Sequence, residues 1–164
     1  MTTDERRAAA QLNPRALVVT PELVRALTIH PTNTCFDDAL DYIEMLASSG
    51  VTPAVLNEHH VVHGVCLWPQ NQPGSESESD RRFAHGWVER GEWAIQCGLI
   101  EGVRVYYQMP RDQMHEYLRV QRFTRYTLRE ALHHNEQSGH YGPWDLDYWM
   151  LCRHSPRAGA WHSL

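Results

Sequence analysis

The segment from Thr34 to Ser48 constrains the fold most, because it predicts one strongly amphipathic helix with a cysteine, Cys35, in its first turn. Thr34 is a suitable N-cap residue, and Gly50 follows the end of the segment, where glycine commonly terminates a helix. A helix with a continuous apolar face has to be buried against another layer. The residues of that face recur at helical spacing: Phe36, Ala39, Leu40, Ile43, Leu46 and Ala47.

After this helix the pattern changes to short segments rich in β-branched and aromatic residues, which are typical of strands. The predicted strands are residues 60–68, 83–89, 92–97, 103–108 and 144–153. Two of them, 83–89 and 92–97, are close enough in the chain to form a hairpin. We therefore expect a central antiparallel sheet that packs against the N-terminal Cys-bearing helix, which is an α+β fold.

Three further helices are predicted around this sheet. They cover residues 21–28, 110–122 and 127–139. The last has the strongest boundary signal, because Thr127 and Glu130 have the spacing of a capping box.

The chain length favours one domain with a core of its own, since 164 residues are enough to bury one. We expect this domain to span residues 15–153, with a flexible tail at 1–14 and a C-terminal tail at 154–164. Residues 69–82 contain proline, glycine and an alternating Ser-Glu run. That composition predicts a mobile loop inside the domain, because strand-like sequence resumes directly after it.

Charge and hydropathy exclude several classes of function. The net charge is −5, which argues against a nucleic-acid partner. All the basic residues are arginine, a composition that reflects a GC-rich coding genome and not a function. The first residues are polar, and no apolar run approaches the length of a membrane span. We therefore expect a cytoplasmic protein with no membrane partner, of bacterial or phage origin, whose oligomeric state the sequence leaves open.

The cysteines are widely spaced and form no Cys-x-x-Cys pair, whereas an extracellular disulfide framework is usually denser and accompanied by a secretory signal. Three of them, Cys66, Cys97 and Cys152, lie in apolar segments, where we expect inert thiols. Cys35 differs because the positive end of a helix favours a thiolate, which is the nucleophilic form.

A thiol nucleophile needs a base within hydrogen-bond reach and a group that orients the base. His85, on the predicted strand 83–89, is the candidate base, and Gln96 on the returning strand is the candidate orienting group. The backbone N–H of Cys35 and the side chain of Asn33 are candidate oxyanion donors. Trp87 is expected to form a wall of the substrate site.

The segments Asn-Thr-Cys-Phe-Asp-Asp-Ala at 33–39 and Ala-His-Gly-Trp-Val-Glu-Arg-Gly at 84–91 resemble the papain-like and transglutaminase-like cysteine enzymes. The resemblance covers residues 33–49 and 83–97. It implies that a Cys attacks an amide or ester carbonyl of a protein or peptide, that His moves the proton, and that Asp, Asn or Gln orients the His. Those roles fall on Cys35, His85 and Gln96.

The reactions that the resemblance implies are amide hydrolysis, glutamine deamidation and acyl transfer to an amine, none of which needs a cofactor. The departure from the family pattern is Gln96, where aspartate is usual. A neutral amide fixes an imidazole ring but stabilises its cation less than a carboxylate does. The same sequence is also compatible with a non-catalytic protein-binding module, or with a phage or bacterial accessory protein.

Other arrangements remain open beside this one. Cys35 can be a small apolar core residue of a capped helix, and four acidic residues are alternative orienting groups: Glu92, Glu101, Asp145 and Asp147.

Two further clusters favour structural roles. His59 and His63 would be about 13 Å apart on a strand, which is too far for one metal ion, so we expect partly exposed strand histidines and no metal. Four arginines interleave with aromatic residues, and we expect them to form a solvated helix face: Arg119, Arg122, Arg125 and Arg129.

Overall fold

The computed structural model describes residues 2, 4, 16–20, 35–67 and 82–145. Within these residues the chain forms helices and a sheet, so the predicted α+β class is confirmed. The elements in chain order are β1 (Leu17–Val18), α1 (Cys35–Ser48), α2 (Pro53–Leu56), β2 (His59–Leu67), β3 (Arg82–Arg90), β4 (Trp93–Ile100), β5 (Val103–Pro110), α3 (Arg111–Tyr117), β6 (Arg122–Thr127) and α4 (Leu128–Ser138).

The strands form one sheet in the order β1-β5-β4-β3-β2-β6. All neighbouring pairs are antiparallel except β1 with β5, which run parallel. The predicted antiparallel sheet is therefore correct for β2 to β6, and the short strand β1 makes the whole sheet mixed. Neither β1 nor β6 is predicted from the sequence.

Helix α1 covers one face of the sheet, as its apolar stripe requires. Leu40 and Ile43 are fully buried, and they pack in one cluster with Val61 of β2, Val88 of β3 and Ile95 of β4. Helix α4 adds to the same face through Ala131. The burial of this stripe, more than helix propensity, fixes α1 on the sheet.

The opposite face of the sheet carries a second cluster under α3. Trp87 of β3 packs there with Met114 of α3, and Leu118 directly follows that helix. Because successive strand side chains alternate between faces, Val88 belongs to the α1 face and Trp87 to the α3 face. The two clusters make the domain a three-layer arrangement around the middle of the sheet.

The region from Pro110 to Thr127 differs from its prediction. The predicted helix 110–122 ends at Tyr117, and the chain then forms strand β6, which pairs with β2 over six positions. Arg122 and Arg125 are therefore on a strand, and the predicted arginine-rich helix face is wrong. Pairing with the edge of β2 satisfies the backbone of this segment, and this tertiary gain outweighs its local helical pattern.

The start of α4 matches its prediction closely. The Thr127 hydroxyl accepts a hydrogen bond from the Glu130 N–H, and the Glu130 side chain returns to the Thr127 N–H, so the capping box is confirmed. The helix ends at Gly139, which has a positive φ of 71°. Local side-chain signals suffice here because a cap depends on residues only three positions apart.

The histidines of β2 are more buried than predicted. His59 is 1% exposed and His63 is 0% exposed, because both point toward α1. His63 is enclosed by the rings of Phe36, Tyr126 and Trp144, at centroid distances of 4.6, 5.1 and 4.5 Å. No set of three or more metal-ligating side chains is assembled anywhere in the described part of the chain.

Some predicted features lie outside the described residues. They are the helix at 21–28, the loop at 69–82 apart from Arg82, the tail at 154–164 and nearly all of the tail at 1–14. Of the predicted strand 144–153, only the first two residues are described, and they are not in a strand.

None of the described helices has the length and apolar character that crossing a bilayer requires.

Replacing Leu40 by alanine tests the packing of α1. Leu40 is 0% exposed, so we expect Leu40→Ala to lower the free energy of unfolding by about 2–5 kcal/mol. The matched control is Leu132→Ala on α4, because Leu132 is 45% exposed and should change stability by no more than about 0.5 kcal/mol. Urea unfolding followed by tryptophan fluorescence measures both, and equal effects would contradict the packing described here.

His63 should make the folded state sensitive to acid. Burial, and next the nearby His134 and His140, lower the pKa of His63 to about 3, whereas an unfolded histidine has a pKa of about 6.5. Between these values the unfolded chain binds the extra proton, so stability is lost as the pH falls through that window, by about 1.4 kcal/mol per pH unit.

The variant His63→Leu lacks this titrating imidazole. Its free energy of unfolding should therefore fall less steeply as the pH decreases. The slope is measured as the free energy of unfolding at several pH values between about 6.5 and 4. His60→Leu is the control, since His60 is only half-buried and points to the other face. An unchanged slope in His63→Leu would refute the assignment.

Candidate active site

Cys35 is the first residue of α1 and lies against the middle of β3. Cys35 is 8% exposed. The Sγ atom accepts a hydrogen bond from the backbone N–H of Gly86, at 3.4 Å. The close approach requires glycine, since a Cβ at position 86 would lie 2.8 Å from Phe36 Cδ1 and 3.0 Å from the Cys35 carbonyl oxygen.

The thiol reaches β3 where that strand separates from β4. The two strands pair at only three positions, from Arg90 opposite Trp93 to Val88 opposite Ile95. Beyond Val88 both strands continue, β3 pairing with β2 and β4 with β5. The N–H of Gly86 is therefore free of a β4 partner and donates to the thiol instead.

Cys35 and His85 approach this opening from opposite faces of the sheet. Gly86 faces α1, so the alternation of strand side chains turns His85 toward the α3 face. There the His85 ring lies 5.9 Å from the Trp87 ring, with their planes inclined by 24°. A continuous β3–β4 ladder would separate the thiol from the imidazole, and the opening removes that barrier.

Gln96 holds the imidazole, and Tyr107 holds Gln96. The His85 Nε2 lies 3.1 Å from the Gln96 side-chain oxygen, and the Tyr107 hydroxyl donates to the same oxygen at 3.3 Å. Because an amide oxygen only accepts, His85 carries its proton on Nε2 when neutral. The other ring nitrogen, Nδ1, is then the basic atom.

All three side chains of the sequence-predicted set line one cavity: Cys35, His85 and Gln96. The cavity has a volume of about 20 Å³, which is enough for a single water molecule. Asp38 and Tyr42 of α1 and Tyr106 of β5 complete much of the remaining wall. No hydrogen bond joins Cys35 directly to His85 among the residues that the structure describes.

Burial keeps both reactive groups neutral. Desolvation raises the pKa of the Cys35 thiol to about 12, and Asp38 and Asp37 add to that increase, while the Gly86 N–H opposes it. Desolvation also lowers the pKa of His85 to about 4, although the hydrogen bond that His85 donates to Gln96 acts in the opposite direction. The expectation that the helix end makes Cys35 a thiolate is therefore wrong for this state, because burial outweighs the field of the helix.

Two further side chains were predicted to belong to the site, Asn33 as an oxyanion donor and Trp87 as a wall of the substrate site. Asn33, the candidate oxyanion donor, lies outside the described residues. Trp87 lines the cavity but is 1% exposed, and its indole N–H donates to Glu89 at 2.9 Å. Its ring therefore supports His85 from inside the core.

The alternative orienting groups do not contact His85 in the described part of the chain. Glu92 pairs with Arg111, and Asp145 lies 3.8 Å from Arg122. Glu101 lies in the turn after β4 and is exposed. Asp147 lies outside the described residues.

Sequence reasoning missed two groups that contact the predicted set. The Gly86 N–H binds the thiol, and its only sequence signal is a glycine immediately after the candidate base. Tyr107 binds Gln96, and it could have been found only from the register that places Tyr107 opposite Gln96. The turn at Glu101–Gly102 fixes this register, but the predicted strands 92–97 and 103–108 leave the position of the turn open.

Comparison of the chain with models of protein families, with curated proteins and with solved structures gave no match. The case for a function therefore depends on the geometry of this site.

Cys35 should react slowly with iodoacetamide in the folded protein. With its pKa raised to about 12, the thiolate fraction at pH 8 should be at least about a hundredfold below that of an unfolded cysteine. Peptide mapping after timed labelling in buffer and in urea measures the ratio, and Cys35→Ser assigns the peptide. Fast labelling in buffer with a midpoint below pH 8.5 would contradict a neutral buried thiol.

Proposed function

We propose that this protein is a cysteine-dependent acyl-transfer enzyme of papain-like or transglutaminase-like architecture. Its reaction would be amide hydrolysis, glutamine deamidation or transfer to an amine. The observation that supports the proposal is the convergence of Cys35, His85 and Gln96 on one cavity. The order thiol, imidazole, amide is that of a nucleophile, its base and the group that orients the base.

In the proposed mechanism the Cys35 S–H proton moves to Nδ1 of His85 as the thiolate sulfur attacks a substrate carbonyl. The resulting oxyanion would be held by the Cys35 N–H and by Asn33. When the C–N bond breaks, the Nδ1 proton passes to the leaving amine and a thioester remains on Cys35. Water or a second amine then attacks the thioester, with His85 acting as the base again.

The surroundings of the site support a distinct role for each partner. Gln96 accepts from Nε2, so it keeps Nδ1 available for the thiol proton. The N–H of Gly86 and that of Cys35 itself both favour a negative sulfur, because each lowers the pKa of the thiol. These donors act against the burial that keeps the resting thiol protonated.

The neutral resting pair has a kinetic consequence. Proton transfer from a buried thiol to a buried imidazole separates charge in an apolar cavity, which is unfavourable. A substrate that brings its carbonyl and amide dipoles to the opening would stabilise the separated charges. We therefore expect low reactivity toward small alkylating agents together with measurable turnover of a well-bound substrate.

A second candidate is a non-catalytic protein-binding module. The observation that favours it is the burial of Cys35, together with the neutral side chain of Gln96 in the orienting position. In that case the same polar contacts would serve only to hold β3, β4 and α1 together.

Hydroxylamine trapping distinguishes the two candidates. The protein is incubated with a library of glutamine-containing peptide amides and with hydroxylamine, a strong acyl acceptor, and hydroxamate products are detected by mass spectrometry. An acyl-transfer enzyme gives hydroxamates and a thioester on Cys35 after acid quenching, and Cys35→Ser and His85→Ala give neither. The absence of products and adducts throughout the library, with peptide binding retained, would favour the binding module.

Gln96→Glu should increase the rate of acyl transfer. Glutamate has the shape of glutamine, so its oxygen can still accept from His85 and Tyr107, and its charge stabilises the imidazolium that forms in the reaction. Each increase of one unit in the pKa of His85 raises the ratio of charged to neutral imidazole about tenfold. We expect an increase of about tenfold in kcat for hydroxamate formation.

The control for this change is Gln96→Met, which keeps the size of the side chain but cannot hold the imidazole in place. It should lower kcat. Similar rates in Gln96→Glu, Gln96→Met and the natural protein would show that position 96 does not act on the base.

A further inference from the structure

A buried carboxylate lies two residues beyond the tryptophan that contacts the candidate base. The Glu89 side chain is 3% exposed, and it faces the α3 side of the sheet, as His85 and Trp87 do. Its two oxygens accept from three donors on three elements. They are Trp87 Nε1 of β3 at 2.9 Å, His115 Nε2 of α3 at 2.9 Å and Arg125 Nε of β6 at 2.6 Å.

This carboxylate is ionised despite its burial. Desolvation alone would raise the pKa of Glu89, but the hydrogen bonds from Trp87, Arg125 and His115 outweigh it, and the pKa is lowered. Burying a charge is costly unless it is paired and hydrogen-bonded. Of the three donors, only the indole N–H of Trp87 connects this charge to the candidate site.

The indole ring of Trp87 is fixed on several sides. Glu89 accepts its N–H, and the His115 ring packs edge-on at 5.8 Å. Below the ring, Gly64 of β2 leaves room for it, since a Cβ there would lie 2.6 Å from Trp87 Cη2. The ring therefore has one defined position, and His85 stacks against it.

We propose that Glu89 is a positioning residue for His85, which it acts on through Trp87. The hydrogen bond sets the plane of the indole, and the indole, stacked on the imidazole, sets the plane of that ring. The imidazole also contacts Gln96 through Nε2 and the Phe83 ring at 5.9 Å. His85 is thus held at Nε2 by Gln96 and on its ring face by Trp87, and these two contacts fix the orientation in which Nδ1 is presented. An effect of Glu89 on catalysis depends on the proposed function, whereas its effect on the orientation of the His85 ring does not.

Two substitutions break this chain of contacts at different points. Trp87→Phe keeps an aromatic ring but removes the N–H that Glu89 binds. Glu89→Gln keeps the size of the side chain but removes the charge that orients the three donors. If Glu89 acts through Trp87, the double variant should have the same effect on His85 as Trp87→Phe alone.

The first measurement is independent of activity. Imidazole ¹⁵N spectra of histidine-labelled protein at fixed pH report which nitrogen of His85 carries the proton, and His85→Ala assigns the signals. We expect His85 to have its proton on Nε2 in the natural protein. Both single variants should show a mixture of the two tautomers, because a ring that Trp87 no longer fixes can turn away from the Gln96 oxygen that keeps the proton on Nε2. Unchanged His85 signals in both single variants would overturn the proposal.

The second measurement uses hydroxamate formation by the whole protein. We expect kcat to fall by about tenfold or more in each single variant with KM unchanged, because misplacing a base affects the chemical step and not substrate binding. A fall in kcat that is additive in the double variant would also overturn the proposal, since two independent effects would then be present.

The matched control is the other ion pair at the end of β3. Arg90 binds Glu58 through Nε and Nη2 at 2.9 and 2.7 Å, and Arg90 faces away from Trp87. Glu58→Gln should leave the His85 signals and kcat unchanged. If it changes them as Glu89→Gln does, general loosening of β3 explains the effect and the proposal is wrong.

Positioning by Glu89 and acyl transfer by Cys35 can fail separately. If no substrate is turned over but the tautomer of His85 changes in Trp87→Phe and not in Glu58→Gln, the acyl-transfer proposal fails and the positioning by Glu89 stands. If Glu89→Gln does not fold, Trp87→Phe carries the test, because it leaves the Glu89 contacts with His115 and Arg125 in place.

Discussion

The contact between the start of α1 and Gly86 is the constraint on which the rest of the site depends. The helix carries Cys35 onto β3 only because position 86 has no side chain, and a Cβ there would overlap Phe36 and the backbone of Cys35. This contact lies where β3 has separated from β4. The same two features, a glycine and an interrupted ladder, bring together a thiol from one face of the sheet and an imidazole from the other.

The two faces of the sheet contribute different side chains to the opening between β3 and β4. The α1 face supplies Cys35, whose burial keeps the sulfur protonated. The α3 face supplies His85 within a polar network, in which Gln96 and Tyr107 act at one ring edge and Trp87 with Glu89 at the ring face. The Glu89 charge reaches His85 only through Trp87, so it orients the base without charging it, whereas Asp38 and Asp37 lie near the thiol and help to keep it protonated. This arrangement suits a site whose reactive pair forms only with substrate present.

The predictions that succeeded are those that depend on neighbours in the chain. The amphipathic stripe of α1 and the capping box of Thr127 and Glu130 are encoded within a few residues, and the pairing of His85 with Gln96 follows from two strands joined by a short turn. The predictions that failed depend on distant segments. Strand β6 forms because β2 offers an edge, and His63 is buried because Phe36 and Trp144 close over it.

By itself, the sequence determined the α+β class, the helix that bears Cys35 and the candidate set of Cys35, His85 and Gln96, because periodicity, caps and short hairpins are local properties. Only the tertiary structure decided that the thiol is neutral, that Gly86 and Tyr107 contact the set, and that Glu89 lies behind Trp87. Burial and the end of a strand ladder are set by residues that are far apart in the chain, and electrostatics follow burial. The contact of Tyr107 with Gln96 depends on where the turn between β4 and β5 falls, which the predicted strand ends did not define. The charge state of a site therefore has to be derived from the fold.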